Sequence, residues 1–317
     1  MLKELRFVMG SISKMSHIPA MTHFKIGGGF VRGYNGALAL CAPLAMDIEC
    51  SPEAEPLVKA LARCTETIHL AMTKAGRLSV RSGPFKALIN CIDGETPHVM
   101  PEGSWIDLDG EALLEAVKVV SPVISDDASK PWATGLLLRG SSAFATNNIS
   151  LVEYYTGANF PELNIPRKAI NEILRLGEAP VKAQCSEMNL TLHYADGRWL
   201  RTQLIDARWP DIAPIMEREA GPLIPLPEGF FDAVRALTAF TGDLGLLIFE
   251  GDTIMTHREA DEGATFEVEG LNATGVYSAA MLLRLEGLLE RIDWSGYPKP
   301  ALFQGPGLRG AIVGARI

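Results

Sequence analysis

The residue groups that could carry chemistry begin with a glycine run and a pair of adjacent carboxylates. Gly27-Gly28-Gly29 could cradle a phosphate, but the third glycine of a GxGxxG loop would fall at position 32, which is Arg32. The flanking segments 23–26 and 30–31 are strand-like, so we interpret the glycines as a bend in one strand. Asp126-Asp127 could act as an acid–base pair, but it lies in a polar segment after an expected helix, which favours a solvated turn.

The histidines and cysteines do not have the spacing of a metal site or a catalytic centre. None of the six histidines lies three or four residues from another, and the five cysteines form no CxxC pair. The sequence also contains no P-loop, HExxH or GxSxG motif. We therefore expect no catalytic residue, no metal and no cofactor, and a protein that is not an enzyme. The cysteines are expected to be reduced and mostly buried.

The composition is that of a folded protein with two or three domains. The chain has 317 residues, of which 47% are hydrophobic and 21% charged. Its net charge of -9 argues against nucleic-acid binding by the whole surface, but it leaves room for a local basic patch. No apolar run approaches the roughly 18 residues that span a bilayer, and the N-terminal segment does not read as a signal peptide. We expect a cytoplasmic protein that does not bind membranes.

Internal repetition indicates three copies of one domain. Ile92–Pro97 (IDGETP) recurs 113 residues later as Ile205–Pro210 (IDARWP), and each copy follows a strand-like hairpin. Leu114–Lys118 recurs 117 residues later as Phe231–Arg235. The expected hairpins are 78–80 with 87–92, around a turn at 82–84, and 190–192 with 199–205, around a turn at 195–197.

Apolar residues at helical spacing predict two helices in each third of the chain. Their expected ranges are about 2–15, 53–65, 109–124, 166–176, 228–240 and 278–292. Between them the pattern alternates with period two or is rich in turn residues. The sequence thus predicts an α+β fold, in which two helices pack on antiparallel sheets in each of three domains. Clusters of proline, glycine and charge place these domains at 1–103, 104–217 and 218–317.

The faces of these helices opposite the apolar stripes carry twelve cations, although the protein is acidic. Glu115, Glu172, Glu286 and Glu290 lie on the same helices, so an ordinary solvated surface is the alternative interpretation. Lys168 with Arg175, and Arg284 with Arg291, keep helical register. The twelve are Lys3, Arg6, Lys14, Lys59, Arg63, Lys118, Arg167, Lys168, Arg175, Arg235, Arg284 and Arg291.

Helix dimensions suggest a use for such cations. Six domains closing a ring lined by twelve helices, each about 10 Å wide, would enclose a hole about 38 Å across. The major groove of a duplex is about 12 Å wide, and a hole of this size would admit the whole duplex with a layer of water. Loose contacts between long cationic side chains and phosphates carry no sequence preference and permit sliding.

Several segments resemble the bacterial DNA polymerase III β sliding clamp family. Thr134–Leu138, Ala145–Asn148, Ile165–Ala169 (IPRKA) and Leu204–Asp211 (LIDARWPD) resemble its middle domain. The first third agrees at 76–83, and the last three residues resemble the family's apolar-Arg-apolar ending. The resemblance implies a three-domain, non-catalytic subunit that forms a head-to-tail homodimer ring around double-stranded DNA. It also implies a processivity factor that tethers a replicative polymerase.

The resemblance further implies a pocket, between the middle and last domains, that binds short peptides of DNA polymerases and of the clamp loader. Small and apolar side chains there would accept the apolar anchors of a peptide. The alternative is that Leu151 and Ile215 belong to the core and that Ile317 is only a strand end. The implied pocket residues are Ala133, Thr146, Asn148, Ile149, Leu151, Pro210, Pro214, Ile215, Val313, Gly314, Arg316 and Ile317.

The chain departs from the family pattern at positions that matter for binding. Asn147-Asn148-Ile149-Ser150 stands where the family usually has Asp-Gly-His-Arg, so we expect the pocket to select a different peptide. Ser16–Pro19 lacks the arginine of the family's DNA-contact loop, which makes Lys130 in a middle-domain loop the better DNA-binding candidate. Gly314 and Ala133 replace a common proline and a larger apolar residue. Such divergence is typical of a phage-encoded or otherwise specialised clamp, which would act in the host cytoplasm.

Ring closure in the family pairs an edge strand of the first domain with one of the last domain. The expected strands here are 87–92 and the segment after Phe240 that contains Leu244, Leu246 and Ile248. Two functions stay open at this point. One is a dimeric sliding clamp, and the other is a clamp-fold adaptor or decoy that binds replication peptides without encircling DNA, for which the net charge of -9 and the missing loop arginine argue.

Overall fold

The structure, a computed structural model, describes residues 1–93, 97, 99–257 and 263–316. Two helices fall in each third of the chain, and a further short helix, α5, lies near the end of the middle third. The α-helices are α1 (Leu2–Val8), α2 (Ala54–Ala62), α3 (Gly110–Val120), α4 (Arg167–Leu176), α5 (Ala213–Met216), α6 (Phe230–Thr238) and α7 (Ala279–Leu283). Short 3-10 helices span Met9–Ser11, Pro19–Thr22, Ser121–Val123, Pro131–Ala133 and Trp294–Gly296.

The chain divides into two compact units. The first comprises Met1–Leu114 and Lys168–Leu204, and the second Glu115–Arg167 and Ile205–Ile317.

The first unit contains two antiparallel sheets. A seven-stranded sheet has the order β1-β2-β3-β12-β11-β10-β7, and a three-stranded sheet has the order β4-β5-β6. The strands are β1 (Lys25–Gly27), β2 (Phe30–Tyr34), β3 (Leu38–Pro43), β4 (His69–Met72), β5 (Leu78–Ser82), β6 (Phe85–Ile89), β7 (Ser104–Ile106), β10 (Lys182–Cys185), β11 (Asn189–His193) and β12 (Trp199–Gln203).

The second unit also contains two antiparallel sheets. A six-stranded sheet has the order β13-β18-β19-β20-β9-β8, and a four-stranded sheet has the order β16-β15-β14-β17. The strands are β8 (Gly135–Thr146), β9 (Ser150–Pro166), β13 (Ile224–Pro225), β14 (Leu246–Gly251), β15 (Thr253–Met255), β16 (Thr265–Glu267), β17 (Ala273–Ser278), β18 (Arg291–Ile292), β19 (Ala301–Gly305) and β20 (Leu308–Ile312).

One main-chain hydrogen bond recurs in all three thirds and confirms the predicted repetition. Its acceptor always lies three residues before the second helix of the third, and its donor lies just after the last strand of the third. The bonds are Ile92 N to Ser51 O (3.0 Å), Ile205 N to Asn164 O (2.9 Å) and Ala315 N to Val276 O (2.7 Å). The predicted α+β fold with three repeated domains, each with two helices on antiparallel sheets, is therefore confirmed.

Each large sheet combines strands from two successive thirds. Leu200 of β12 pairs with Leu40 of β3, which joins the middle third to the sheet of the first. Leu151 of β9 pairs with Ala311 of β20, which joins the middle third to the sheet of the last. Contacts therefore divide the middle third between the two compact units, and the boundaries at 103 and 217 stay predictions.

Amphipathic helices cover these sheets, as their apolar spacing predicts. In α4, Ala169, Ile170 and Ile173 are fully buried, whereas Lys168 and Asn171 on the opposite face are exposed. Burying an aliphatic side chain of this size contributes about 1.5–3 kcal/mol, so the apolar face of the helix fixes its position on the sheet.

Two predicted helices are wrong in length. The spacing of Leu285, Leu288 and Ile292 predicts a helix to residue 292, but α7 ends at Leu283 and Ile292 belongs to β18. Gly287 takes a positive φ of 77°, which breaks the helix while turns still bury the two leucines. Arg284 and Arg291 consequently do not share a helix.

The first helix is also shorter than expected. It ends at Val8, and a 3-10 helix follows at Met9–Ser11. Gly10 in this turn lies against the Glu172 carboxylate, where an added Cβ would clash. Lys14 and Met15 therefore lie outside the helix, and Met15 is 92% exposed instead of buried in an apolar stripe.

The glycine run forms a tight turn, so it has a structural role, as the sequence predicts. Gly27 pairs with Phe30, and Gly28 and Gly29 have positive φ angles of 60° and 79°. These angles suit a two-residue hairpin, which favours glycine. The prediction of one bent strand is wrong, because the turn joins two strands, β1 and β2.

The five cysteines are free thiols, but fewer are buried than expected. Cys41 and Cys50 are buried, and Cys64, Cys91 and Cys185 are half-buried. Burial raises the pKa of the Cys41 thiol to about 11 and that of Cys50 to about 12, which keeps both protonated at neutral pH. None of the described helices is long and apolar enough to cross a membrane.

Gly135 at the start of β8 offers a test of the packing. An alanine Cβ there would lie 2.4 Å from the main-chain oxygen of Ile165, which cannot move without breaking the sheet. We expect Gly135→Ala to lower the free energy of unfolding by about 1–3 kcal/mol, measured by urea denaturation. Gly27→Ala is the matched control, since its Cβ would meet only Glu49 at 3.4 Å. Equal urea midpoints for the two variants would contradict the close approach.

Candidate peptide-binding pocket and cationic surface

A cavity of about 180 Å³ opens in the second unit, beside the β8–β9 turn and helix α5. Its walls come from the turn, from α5 and the segment before it, and from β20. The lining residues are Trp132, Thr146, Asn148, Ile149, Ser150, Leu151, Pro210, Asp211, Ile212, Ile215, Pro300, Ala311 and Val313.

Side-chain hydrogen bonds fix the β8–β9 turn. The Asn147 Oδ1 atom accepts hydrogen bonds from the main-chain N–H groups of Ile149 (3.0 Å) and Ser150 (2.7 Å). The Thr146 hydroxyl donates to the Ser150 carbonyl and accepts from the Asn148 N–H. Asn148 adopts a φ of 70°, a conformation that asparagine tolerates better than most residues. These bonds hold Ile149 at the mouth of the cavity.

The floor of the cavity is apolar. Leu151 and Ala311 belong to a buried cluster with Phe144, Trp209 and Ile212, and Trp132 packs edge-on against Trp209 with ring centroids 5.3 Å apart. At the rim, Ile149 and Ile215 are each 37% exposed and Val313 is 42% exposed. An apolar hollow with exposed aliphatic walls is suited to bind apolar side chains of a partner.

The predicted DNA-binding cations differ in how they are already paired. Six form ion pairs: Lys3 with Asp196, Lys59 with Glu55, Arg167 and Arg284 with Asp126, Arg175 with Glu172, and Arg235 with Asp232 and Glu286. Arg291 donates to the Leu223 carbonyl at 2.9 Å. The other six predicted cations are exposed and form no ion pair with any described residue, namely Arg6, Lys14, Arg63, Lys118, Lys130 and Lys168.

Arg175 has a structural contact that the sequence did not indicate. Its guanidinium binds the buried Glu172 carboxylate and donates to the Phe7 carbonyl at 2.8 Å, which ties the end of α1 to α4. The hydrogen bond to Glu172 raises the pKa of Arg175. Removing this arginine would leave a buried carboxylate without its partner, so its replacement affects folding as well as any surface contact.

No group of three or more His, Cys, Asp or Glu side chains in the described part of the chain could hold a metal ion. Asp126 of the predicted acidic pair lies between Arg167 and Arg284, and Asp127 caps its own turn through the Ser129 N–H. The hydrogen bonds from Ser129 hold the pKa of Asp127 below its ordinary value. Both carboxylates therefore act in local structure, as the solvated-turn interpretation proposes.

Solved structures identify the architecture. No protein-family model and no curated protein matches the sequence. The DNA polymerase sliding clamp of Caulobacter crescentus superposes with a TM-score of 0.84 at 18% identity, over 100% of this chain and 97% of that one. The clamp of Bacillus subtilis gives 0.83 at 16% identity, again over 100% and 97%. A clamp from Bartonella birtlesii, solved bound to griselimycin, gives 0.84 at 17% identity and the same coverage. The chain has the sliding-clamp fold.

Seven of the twelve residues that the clamp resemblance implies for the pocket line the cavity together. They are Thr146, Asn148, Ile149, Leu151, Pro210, Ile215 and Val313. Ala133 is fully buried, and its neighbour Trp132 occupies the wall instead. Pro214 and Arg316 are exposed outside the lining, and Ile317 lies outside the described residues.

Gly314 is buried behind the pocket for a steric reason. An added Cβ would lie 2.8 Å from the Tyr297 ring and 3.1 Å from the Val276 carbonyl. The Tyr297 hydroxyl donates to the Ala315 carbonyl at 2.7 Å, which holds that ring in place. The glycine that replaces the common proline of clamps thus makes room for an aromatic side chain.

Sequence reasoning missed six lining residues, which are Trp132, Ser150, Asp211, Ile212, Pro300 and Ala311. The pairing of β9 with β20 could have indicated Ala311, since Ala311 lies opposite Leu151, which the resemblance implies. Pro300 carries no such signal, because it reaches the pocket from a turn in the last third, where the resemblance is faint.

The turn can be tested without a ligand. Asn147→Ala removes the acceptor of two main-chain hydrogen bonds, and we expect it to lower the free energy of unfolding by about 1–2 kcal/mol and to speed amide exchange at Ser150. Asn148→Gly is the control, because glycine adopts a positive φ without steric strain. Unchanged exchange at Ser150 in the Asn147 variant would show that the turn does not depend on that side chain.

Proposed function

We propose that this chain is a DNA sliding clamp, in which two copies close a ring around double-stranded DNA and the pocket tethers a DNA polymerase. It would act as a non-catalytic processivity factor with three domains at 1–103, 104–217 and 218–317. The observation that carries the proposal is that one type of strand pairing joins successive thirds, and that each end of the chain offers one unused partner of that pairing.

The two joints within the chain are built alike. The last strand of a C-terminal hairpin, β12 or β20, pairs with β3 or β9 of the preceding third. The equivalent last strand in the first third is β6, and the strand of the last third equivalent to β3 and β9 is β16. Within the described residues, β6 pairs only with β5, and β16 only with β15. The same joint, made between β6 of one copy and β16 of another, closes a head-to-tail ring.

The repeated hydrogen bonds predict the register of this closing joint. Ala315 and Ile92 are equivalent donors, and counting back equally from each makes Leu308 equivalent to Phe85. Val276 and Asn164 are equivalent acceptors, and the same count makes Phe266 equivalent to Tyr154. Leu308 and Tyr154 are paired within the chain. Phe85 therefore stands opposite Phe266 of the second copy.

The side chains at these edges suit such a joint. Phe266 is 42% exposed, and Phe240 at the end of α6 is 55% exposed. Lys86 lies on β6 and Glu267 lies on β16, so the proposed register places opposite charges diagonally across the joint. The segment with Leu246 and Ile248, which the sequence suggests as the closing edge, is wrong in that role, because β14 is paired on both sides by β15 and β17.

The proposed DNA contacts come first from the six predicted cations that are exposed and form no ion pair. Phosphate contacts by such side chains are independent of sequence and permit sliding. The net charge of -9 leaves the rest of the surface repulsive to DNA, which favours contact only at those cations. The proposed peptide ligands are segments of DNA polymerases and of the clamp loader, whose apolar anchors would enter the pocket.

Ring closure predicts a dimer that one substitution breaks. We expect the wild type to sediment as a species of twice 34.3 kDa at a protein concentration of about 10 µM. That concentration is about ten times a micromolar dissociation constant for the dimer. Phe266→Asp should sediment as a monomer, because it buries an unpaired charge against Phe85. Thr274→Asp, on the opposite edge of the same sheet, is the control and should remain dimeric. A monomeric wild type would remove the ring proposal.

DNA association predicts a dependence on the unpaired cations. Replacing Lys14, Arg63, Lys118 and Lys168 together with Ala should weaken binding equally on duplexes of different sequence. It should also reduce the slope of log K against log salt by about 0.9 for each phosphate that the variant no longer neutralises. The control replaces Lys25, Lys74, Arg208 and Lys299, which makes the same change in net charge. Equal slopes for the two quadruple variants would mean that the predicted cations do not contact DNA.

An adaptor that binds replication peptides without encircling DNA is the second candidate. The net charge of -9 and the ion pairing of six predicted cations favour it. A monomer that binds peptides in the pocket, and that is lost equally from nicked circular and linear duplex, would support the adaptor.

A further inference from the structure

A second cavity, of about 420 Å³, lies in the same unit as the apolar pocket and has different chemistry. Its lining residues are Glu153, Tyr155, Gln304, Gly305, Gly307, Leu308 and Arg309. We call it the Arg309 cavity, because this arginine decides what it can bind.

The Arg309 cavity and the apolar pocket share one face of the six-stranded sheet. Leu151 pairs with Ala311 in the apolar pocket, and Glu153 pairs with Arg309 in the second cavity. Residues two apart along a strand point to the same face and lie about 7 Å apart. Val313 lies at the outer limit of the apolar pocket, and Gly307 lies at the outer limit of the Arg309 cavity. An extended peptide of a few residues would reach from one cavity to the other.

The charge of Glu153 is already used within the protein. Its Oε1 atom accepts a hydrogen bond from the Ser142 hydroxyl at 2.9 Å, and its Oε2 atom accepts one from Arg309 Nε at 2.7 Å. The Glu153 side chain is only 17% exposed, whereas that of Arg309 is 50% exposed. The carboxylate thus orients the arginine and is itself shielded from a ligand.

The outer edge of the guanidinium remains available. Among the described residues, the two terminal nitrogens of Arg309 have no hydrogen-bond partner. Beside them, the Tyr155 side chain is 64% exposed and forms a wall of the cavity. Two parallel N–H donors in a fixed plane match the two oxygens of a carboxylate.

From this geometry we infer that the Arg309 cavity binds an acidic side chain of the same peptide whose apolar anchor fills the neighbouring pocket. The inference rests on the proposed function of that pocket. It adds that the partner peptide carries Asp or Glu about two to four residues from its apolar anchor, in an extended conformation. Arg309 is then a specificity-determining residue, and the apolar pocket supplies the common anchor site.

The test uses two blocked synthetic peptides, Asp-Ser-Gly-Leu-Phe-Gly-Ser-Asp and the same peptide with Asn in place of each Asp. Their ends are acetylated and amidated, so that no terminal carboxylate competes. Acidic residues on both sides of the Leu-Phe anchor allow either chain direction. By calorimetry on the full-length protein, we expect the Asp peptide to bind about three- to fivefold more tightly than the Asn peptide, and the ratio to fall at high salt.

Arg309→Gln should bring the ratio of the two dissociation constants to about 1, while the Asn peptide binds as before. Arg309→Lys should keep part of the preference, since it keeps the charge without the planar fork. Lys118→Gln, which makes the same charge change on α3, should leave the ratio unchanged. Thermal unfolding of each variant verifies its fold. Tyr155→Ser provides a second change in the same cavity, and we expect it to lower the ratio of the dissociation constants without changing the net charge of the protein.

Griselimycin separates failure of the inference from failure of the proposed pocket. If griselimycin binds and is displaced by both peptides with equal affinity, the inference is overturned while the pocket stands. A preference for the Asp peptide that persists in Arg309→Gln overturns it as well. If neither griselimycin nor either peptide binds to the wild type or to the Ile149→Asp variant, the proposed pocket fails and the inference fails with it.

Discussion

Main-chain pairing between outer strands is the constraint on which the architecture depends. The backbone groups of a sheet edge must find partners, and this chain satisfies them twice by joining successive thirds, through β3 with β12 and through β9 with β20. Each joint turns two modest sheets into a long one. The repeated domain is therefore recognised by its sequence and its hydrogen bonds. Each compact unit is instead built around a sheet that joins two thirds. Within the described residues, β6 and β16 are left as edges, because the repeat has no further third to pair with them.

Charge is distributed so that most arginines serve structure and most exposed lysines do not. Arg175 holds a buried carboxylate and a helix end, and Arg167 and Arg284 share Asp126. Guanidinium groups are suited to such fixed, planar contacts. The predicted cations without an ion pair include Lys14, Lys118, Lys130 and Lys168, whose flexible point charges suit the phosphate contacts that we propose. An acidic protein can therefore keep a cationic surface without a large positive patch, because its arginines neutralise neighbouring carboxylates.

Sequence patterns predicted what is periodic or repeated, and they failed where tertiary contacts decide. The IDxxxP repeat and the hairpins before it are correct, since alternation and turn residues are local signals. The length of α7 is wrong, because Leu285 and Leu288 are buried through turns as well as a helix would bury them. The residues implied for the pocket coincide best with the lining of the cavity where the resemblance is specific, in the β8–β9 turn. Walls such as Pro300 come from distant segments whose approach only the folded sheet determines.

The repeat allows the equivalent joints of the two units to be compared within the described residues. The place in the first unit equivalent to it lies at the β3–β12 joint and is lined by Tyr34, Ala39 and Arg201, but it measures only about 100 Å³. There Arg201 stands opposite Ala39, as Ala311 stands opposite Leu151 in the second unit. Its guanidinium is bound by Glu102 at 2.8 Å and by the Met100 carbonyl at 2.7 Å, so that the segment before β7 closes over the joint. The same strand pairing thus carries a smaller cavity beside arginine and a larger apolar one beside alanine. The two joints therefore differ at this position of the last strand, where the first unit has Arg201 and the second has Ala311.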